Sequence, residues 1–547
     1  MKKISIKINS QAIICDEGKT IMQAARDHGV YLPDLCFHPD LSVKANCRIC
    51  VVEVKGHNKL ATACSTFVQD GLEISTDSER VKRSRNLNLE LIFAEHIEKC
   101  PTCVWRLNCK LLELADRYKI EITRFKDRKG KRKVYKFANA VEIDGTQCID
   151  CRNCLDACKQ MQKINFLKLT GKGADQEIVP VSAGWRRNGK IDCIYCGQCA
   201  VHCPVGAAQE QTQWQLVEKV LRDNPPKSPL YKGGKILVAQ FAPSIRVSIG
   251  EEFGAPYGKI VAGQVAAALK KLGFNYVFDV NFGADITTIV ETEELKQRLK
   301  AGGALPMFTA CCPAWVKYAE FYRPDLIPNL TTARSPQMHA AGLVKTYWAE
   351  AMKIDPKNIT VVSIMPCTAK KYEAGRAELK VNGLLPVDYV ITTRELAFMI
   401  KKNKIDFLKL KPEAADNPLG AASGAAAIYG GTGGVMKAAL RELGNRRLRT
   451  VTVNGIGGIE EVLANLNDYD YVEVMACPDG CIGGGGQPIP TTAAIRKKRL
   501  SALHKIDAKS EVRKAHENQA AVKALEWLEG KGKLKEQVLF TKYRRRS

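Results

Sequence analysis

"EVMACPDGCIGGGGQP" (473–488) carries two cysteines, Cys477 and Cys481, at the end of an apolar run and just before four glycines. Two thiolates are half of a four-ligand site, the usual complement for zinc or an iron–sulfur cluster. Upstream, the apolar runs "KILVAQF", "NYVFDV", "TVVSIM", "VDYVIT" and "YVEVMA" alternate with helical stretches such as 259–272 and 313–321. From about residue 235 this alternation predicts an α/β domain with a largely parallel sheet. Cys311, Cys312, Cys367, Cys477 and Cys481 each follow directly on a predicted strand, and strand C-terminal ends are where open α/β sheets gather their sites. The partners expected for Cys477 and Cys481 are therefore Cys312 and Cys367.

Nearer the N-terminus the sequence reads as strand, turn, strand and a helix from about Thr20, followed by Cys36, Cys47, Cys50 and Cys64 spaced C-x10-C-x2-C-x13-C. That resembles plant-type 2Fe–2S spacing, with small flanking residues leaving room and N–H donors for sulfides; structural zinc is the competing reading. "HIEKCPTCVWRLNC" supplies His96, Cys100, Cys103 and Cys109, which suit zinc or a cluster equally until the next segment is considered. There, "CIDCRNCLDAC" (Cys148, Cys151, Cys154, Cys158) and "CIYCGQCAVHCP" (Cys193, Cys196, Cys199, Cys203) repeat the bacterial ferredoxin spacing, in which each fourth cysteine serves the other cluster. Cys15, in an alternating apolar stretch, reads as a buried small hydrophobe.

The 547 residues leave room for several domains, and an apolar fraction of 45% is that of an ordinary globular protein. No apolar run is long enough for membrane insertion, the alternating N-terminus is not a signal peptide, and 21 cysteines without an export signal argue for a reducing cytoplasm. The formal charge of +25 counts cysteines as neutral, whereas cluster-bound thiolates would lower it. No nucleic-acid reading motif accompanies the charge. The basic stretches "RFKDRKGKRKVYK" (124–136) and "TKYRRRS" read as a solvated loop and a frayed end. "YGGTGG" (429–434) and "DEGKT" (16–20) lack the residues of a phosphate loop, and no Rossmann or flavin motif appears.

"FTACCPAW" (308–315), "MPCTAKKYE" (365–373) and the opening stretch resemble, in order, the three signature segments of the iron-only, or [FeFe], hydrogenases. The upstream pattern is similar to the large multi-cluster members of that family. The resemblance implies an α/β catalytic domain (213–490) preceded by a β-grasp 2Fe–2S domain (1–80), a small helical His/Cys3 4Fe–4S domain (81–120) and an α+β two-cluster ferredoxin-like domain (138–212), with a helical C-terminal segment at 491–547. It implies one 2Fe–2S cluster, three accessory 4Fe–4S clusters, and a catalytic 4Fe–4S cluster on Cys312, Cys367, Cys477 and Cys481. Cys481 would also bridge to a diiron unit carrying CO, cyanide and a dithiolate. Lys370, Ser244 with Ala242 and Pro243, and Gln337 match residues around the diiron ligands, and Met365 and Met475 would form an apolar wall. The glycines of 483–486 would let the main chain approach the inorganic core.

The same resemblance makes Cys311 the proton-exchanging thiol, with Glu291 as inner and Glu294 as outer relay carboxylate; a helical turn apart, the two share a face. Thr331 stands where the family places a serine between them. Ala310 in place of serine and Tyr429 in place of phenylalanine imply an active but retuned site. Electrons would pass through the accessory clusters to ferredoxin or to flavin- and NAD(P)-binding subunits, since the N-terminal pattern also resembles the cluster-bearing subunit of respiratory complex I. Separate maturation proteins would build the diiron unit. A hydrogen sensor or iron–sulfur assembly protein of the same ancestry is the alternative, but such relatives tend to lose the relay cysteine or the diiron-pocket residues.

Overall fold

Ile4, Ile6 and Ile8 alternate with exposed residues, so β1 (Lys3–Ile8) buries one face and leaves the other to lysines and serine. Asn9 and Ser10 take positive φ in the turn to antiparallel β2 (Gln11–Asp16), as a two-residue hairpin requires. Thr20 then caps the helix Ile21–Asp27 in a reciprocal box with Gln23. β3 (Val51–Val54), β4 (Ala61–Thr62) and β5 (Glu73–Ser75) complete a sheet of order β2-β1-β5-β3-β4, in which β5 runs parallel to β1. This is the expected β-grasp arrangement, and Cys15 is buried in its core. The computed structural model describes residues 2–96, 100–101, 103–181, 191–224, 234–444 and 447–546.

The helices Glu79–Ala94 and Lys110–Arg117 pack on each other after this domain. Next, β6 (Val134–Phe137) and β7 (Val141–Asp144) join β10 (Ala208–Glu210) in one sheet, while β8 (Leu167–Thr170) pairs with β9 (Glu177–Pro180). The short helices Asn153–Asp156 and Gln198–Val201 sit within the two cysteine runs, giving the α+β pattern.

The larger α/β part departs from a single sheet. β11 (Ile236–Phe241), β12 (Tyr276–Asp279), β14 (Ile359–Met365) and β15 (Tyr389–Thr392) form one parallel sheet of order β12-β11-β14-β15. β13 (Met307–Phe308), β16 (Thr450–Asn454) and β17 (Tyr471–Met475) form a second, of order β13-β17-β16. All seven residues of β14 are buried, as for a strand covered on both faces. The helices Val280–Ala301 and Pro336–Leu343 pack closely together beside these sheets. The helices Ala493–Lys509, Gln519–Leu528 and Gly532–Leu539 wrap this part of the molecule, with Asn518 bonded to Asp285 and Arg499 to Glu251.

Neither basic stretch is free. Arg124 binds Glu90, Arg128 and Lys129 bind Glu95, and Lys129 and Arg132 bind Asp150, because acidic groups on the helix Glu79–Ala94, at its C-cap and in the first ferredoxin-like turn face that loop. At the other end, Thr541 donates to Thr332 and Arg546 pairs with Glu320 and Glu378, while Arg376 lies over the Tyr543 ring. The loop is solvated as expected, most of its lysines and arginines being exposed, but ion pairs fasten it, and the end expected to fray is tied down. Among the described residues no helix is long and apolar enough to cross a membrane.

Candidate active site and cluster cavities

The C-terminal ends of the two parallel sheets converge on one cavity. Cys312 occupies the N-cap of the helix Pro313–Tyr322, with Pro313 supplying a preset helical φ at its first position. Cys367 follows β14 across Pro366, and Cys477 follows β17 across Ala476. Cys481 starts the short turn Cys481–Gly483 rather than following directly on a strand. Cys311, Cys312, Cys367, Cys477 and Cys481 line this cavity together with Ala242, Pro243, Ser244, Gln337, Met365, Lys370 and Met475. The structure therefore gathers every residue expected around the catalytic cofactor.

The donor set fits an anionic inorganic group. Burial holds Cys477 well above the usual thiol range and pushes Cys367 up to about 12, so these sulfurs would be thiolates only when bound to metal. Ser244 is fully buried, and its hydroxyl has no hydrogen-bond partner among the described residues. The Lys370 ammonium donates to the Cys311 carbonyl (3.0 Å) and to Glu373 (2.8 Å), leaving a third N–H. Burial pulls its pKa down, but the Glu373 carboxylate outweighs that and holds it above the ordinary value. Among the described residues no three His, Cys, Asp or Glu groups close on a single metal ion.

Gly484 lines the cavity beside Cys481, and the glycine run has a second reason besides the one expected. A Cβ on Gly484 would stand 2.3 Å from the Pro366 carbonyl, and one on Gly485 would stand 2.5 Å from the Gly197 Cα and 2.6 Å from the Cys196 carbonyl. Glycine lets this loop press on protein backbone, Gly484 on Pro366 and Gly485 on the second ferredoxin-like run. Gln198 donates to the Gly483 carbonyl (2.9 Å), Thr368 donates to Tyr195 (2.7 Å), and Arg394 binds Glu210, Gly485 and Gln487. The Cys477 sulfur lies 3.9 Å from the Cys196 carbonyl. Gly485→Ala should cost about 1–3 kcal/mol of packing and slow electron delivery through this contact. Assays with a protein donor and with a small reductant, alongside iron content, would show whether delivery alone is lost.

The upstream thiols also assemble. Cys36, Cys47, Cys50 and Cys64 lie within electrostatic reach of one another, with Asn46 and Cys47 main-chain N–H groups on the Cys36 sulfur. Cys148, Cys151, Cys154 and Cys203 line one cavity, and Cys158, Cys193, Cys196 and Cys199 another. The fourth cysteine of each run therefore crosses to the other site, as the spacing predicts. Cys100, Cys103 and Cys109 are mutually close; residues 97–99 and 102 of that segment lie outside the described ones. His96 donates from Nδ1 to the Gln147 carbonyl (2.8 Å), which leaves Nε2 as its basic atom.

Glu291 and Glu294, expected from the sequence to act as relay carboxylates, both stand on the helix Val280–Ala301. Burial pushes Glu291 up to about 8, against a hydrogen bond from the Tyr471 hydroxyl at 2.6 Å. Glu294 accepts from the Thr331 hydroxyl (2.7 Å), from the Thr332 main chain (2.8 Å) and from Arg298 (3.1 Å). Burial, then the Glu291 charge, hold the Cys311 thiol well above its usual range. Ala310 is buried, and Tyr429 lines the cavity with its hydroxyl 2.7 Å from that of Thr288.

Sequence reasoning missed four residues. Glu373 accepts from Lys370, from Ser335 (2.9 Å) and from Gln337 (2.7 Å); its position three after Lys370 in "MPCTAKKYE" was the available signal. Glu473, buried and pushed up to about 7 by desolvation, accepts from the main chain of Gly433 and Met436. Tyr471 and Thr288 read as ordinary strand and helix residues, and nothing in the pattern marked their hydroxyls.

Known proteins share the sequence and the fold of this part of the chain. Residues 235–485 match the family described as iron only hydrogenase large subunit, C-terminal domain, and 493–546 match the iron hydrogenase small subunit. Residues 1–79, 85–124 and 147–207 match a 2Fe-2S iron-sulfur cluster binding domain, the NADH-ubiquinone oxidoreductase-G iron-sulfur binding region and a 4Fe-4S dicluster domain. The NADP-reducing hydrogenase subunit HndD of Solidesulfovibrio fructosivorans is 37% identical, with 100% of both chains covered. Iron hydrogenase 1 of Clostridium pasteurianum is 37% identical over 95% of this chain and 96% of that one. A solved structure of a variant of the [FeFe]-hydrogenase HydA1 from Chlamydomonas reinhardtii superposes with a TM-score of 0.54 at 34% identity, covering 60% of this chain and 98% of that chain. With the cysteine-lined cavity and the full-length similarity pointing the same way, the chain belongs to the iron-only, or [FeFe], hydrogenases.

Proposed function

We propose that the enzyme interconverts H2 with protons and electrons in the cavity lined by Cys311, with a 4Fe–4S cluster on Cys312, Cys367, Cys477 and Cys481 and a diiron unit tied through Cys481. The observation that carries this reading is the convergence of five thiols, the unpartnered Ser244 hydroxyl and the Lys370 ammonium on one buried cavity. When bound, the diiron unit supplies the metal centre for H2 chemistry. Lys370, with its third N–H, and Ser244, with its unpartnered hydroxyl, would donate to anionic ligands of that unit, and such charge-assisted bonds are the strong kind. Met365 and Met475, buried and lining the cavity, would give it an apolar wall.

Protons would pass between Cys311 and solvent by way of Glu291, Thr331 and Glu294. Glu291, near 8, is suited to take and release a proton at neutral pH. Electrons would arrive through two crosswise 4Fe–4S clusters on Cys148, Cys151, Cys154 with Cys203 and on Cys193, Cys196, Cys199 with Cys158. A third 4Fe–4S cluster on His96, Cys100, Cys103 and Cys109 and a 2Fe–2S cluster on Cys36, Cys47, Cys50 and Cys64 would feed them. The division into domains at 1–80, 81–120, 138–212, 213–490 and 491–547 follows these groups.

The electron partners would be ferredoxin or flavin- and NAD(P)-binding subunits, in keeping with the name of the relative HndD. A cytoplasmic site and dedicated maturation proteins complete the proposal; all 21 cysteines are free of disulfides. Protein matured with its diiron unit should show infrared bands of bound CO and cyanide and evolve H2 from a reduced donor. Bands without turnover would leave only a sensing role, and absence of both would defeat the reading.

A further inference from the structure

Glu291 is enclosed by protein, yet its two oxygens differ. The Tyr471 hydroxyl donates to Oε1 at 2.6 Å, whereas Oε2 has no hydrogen-bond partner among the described residues. Tyr471 opens β17, the strand that leads to Cys477, and is paired with Met307 on one side and Thr450 on the other. Its position is therefore set by the sheet, and it is fully buried. The other phenol nearby, Tyr429, is committed to Thr288.

We propose that Tyr471 is a positioning residue for proton transfer: its hydroxyl anchors Oε1 of Glu291 and reserves Oε2 as the atom that takes up and gives away the relayed proton. The proposal rests on the relay reading of Glu291. A phenol suits the task because it keeps its own proton near neutral pH. It can donate to Oε1 whether Glu291 is a carboxylate or a carboxylic acid, so no side chain has to turn as a proton passes. The proton lands on Oε2 and leaves from Oε2, and no bond of Tyr471 changes. Phenylalanine would fill the same space without the donor.

The groups facing Glu291 are Tyr471 and Glu473 from β17, Tyr429 and Cys311 from neighbouring loops, Glu294 and Arg298 from its own helix, and Tyr543 from the C-terminal tail. Burial and the neighbouring carboxylates favour the protonated form; the Tyr471 hydroxyl and Arg298 favour the charged one. A hydrogen bond to a carboxylate stabilises it more than the acid. Loss of the phenol hydroxyl should therefore raise the proton affinity of Glu291.

In the matured holoenzyme, Tyr471→Phe should move the pH midpoint of both H2 uptake and H2 evolution in the alkaline direction by about one unit. The infrared C=O stretch of protonated Glu291, identified by its disappearance in Glu291→Gln, should rise in frequency. Incorporating 3-fluorotyrosine at 471, a stronger donor of nearly the same size, should move the midpoint and the stretch the other way. A midpoint and a stretch unmoved in both proteins would overturn the proposal while the relay stands. Undiminished turnover in Glu291→Gln would overturn the relay reading and this proposal with it.

Discussion

Replacing Cys311 with alanine should lower H2 turnover by about 10²–10⁴-fold, the usual worth of a positioned proton donor, and leave bound iron unchanged. Cys312, Cys367, Cys477 and Cys481 supply four sulfurs to the cavity without it. Nor should the substitution release Lys370, because that ammonium is held by the main-chain carbonyl of Cys311 and not by its sulfur. The loss should therefore fall on proton exchange alone. Cys311→Ser should recover little, since an alcohol gives up its proton less readily than a thiol. Iron analysis, infrared spectra and turnover on the same preparations would check this. Loss of iron in Cys311→Ala would make the residue a ligand and overturn the division of roles among the five thiols.

Much of this site was legible because cluster chemistry demands several sulfurs, and short spacings within a run leave little choice of arrangement. Cys148 to Cys203 announced two crossed clusters, and the structure groups those thiols crosswise. The strands leading to Cys367 and Cys477 were legible from apolar runs at full burial. What stayed hidden depends on contacts between segments far apart in sequence. Tyr471 meets Glu291 and Gly485 meets Gly197 only after the chain has folded, and an isolated tyrosine on a strand or a glycine run is equally consistent with plain packing. The ion pairs of the basic loop at 124–136, which is solvated as expected, stayed hidden for the same reason: the partners Glu90, Glu95 and Asp150 lie in other elements. The split into two parallel sheets was equally invisible, because periodicity reports a strand's burial and not its neighbours.

The wall of the catalytic cavity depends on one carboxylate oxygen. Oε2 of Glu373 accepts from Ser335 (2.9 Å), Gln337 (2.7 Å) and Lys370 (2.8 Å), all three buried with it. Ser335 and Gln337 belong to the start of the helix Pro336–Leu343 and Lys370 to the helix Ala369–Ala374, so this oxygen fastens two elements behind the cavity. Removing one partner of a buried ion pair costs about 3–5 kcal/mol, because the other charge remains without compensation. Glu373→Ala should therefore loosen both helices and let burial strip the proton from Lys370, which the Glu373 charge now retains. Hydrogen exchange should accelerate in peptides covering 335–343 and 369–374 with exchange in the N-terminal domain unchanged, and turnover should fall with it. Glu373→Gln keeps an oxygen acceptor for Ser335 and Gln337 but no charge, so it should restore part of the exchange protection while still weakening the Lys370 ammonium. If Glu373→Ala exchanged like the unmodified protein, the hub would be ornamental and Lys370 would owe its charge to the sulfurs around it. If Glu373→Gln kept full turnover, the oxygen alone, and not its charge, would account for the arrangement.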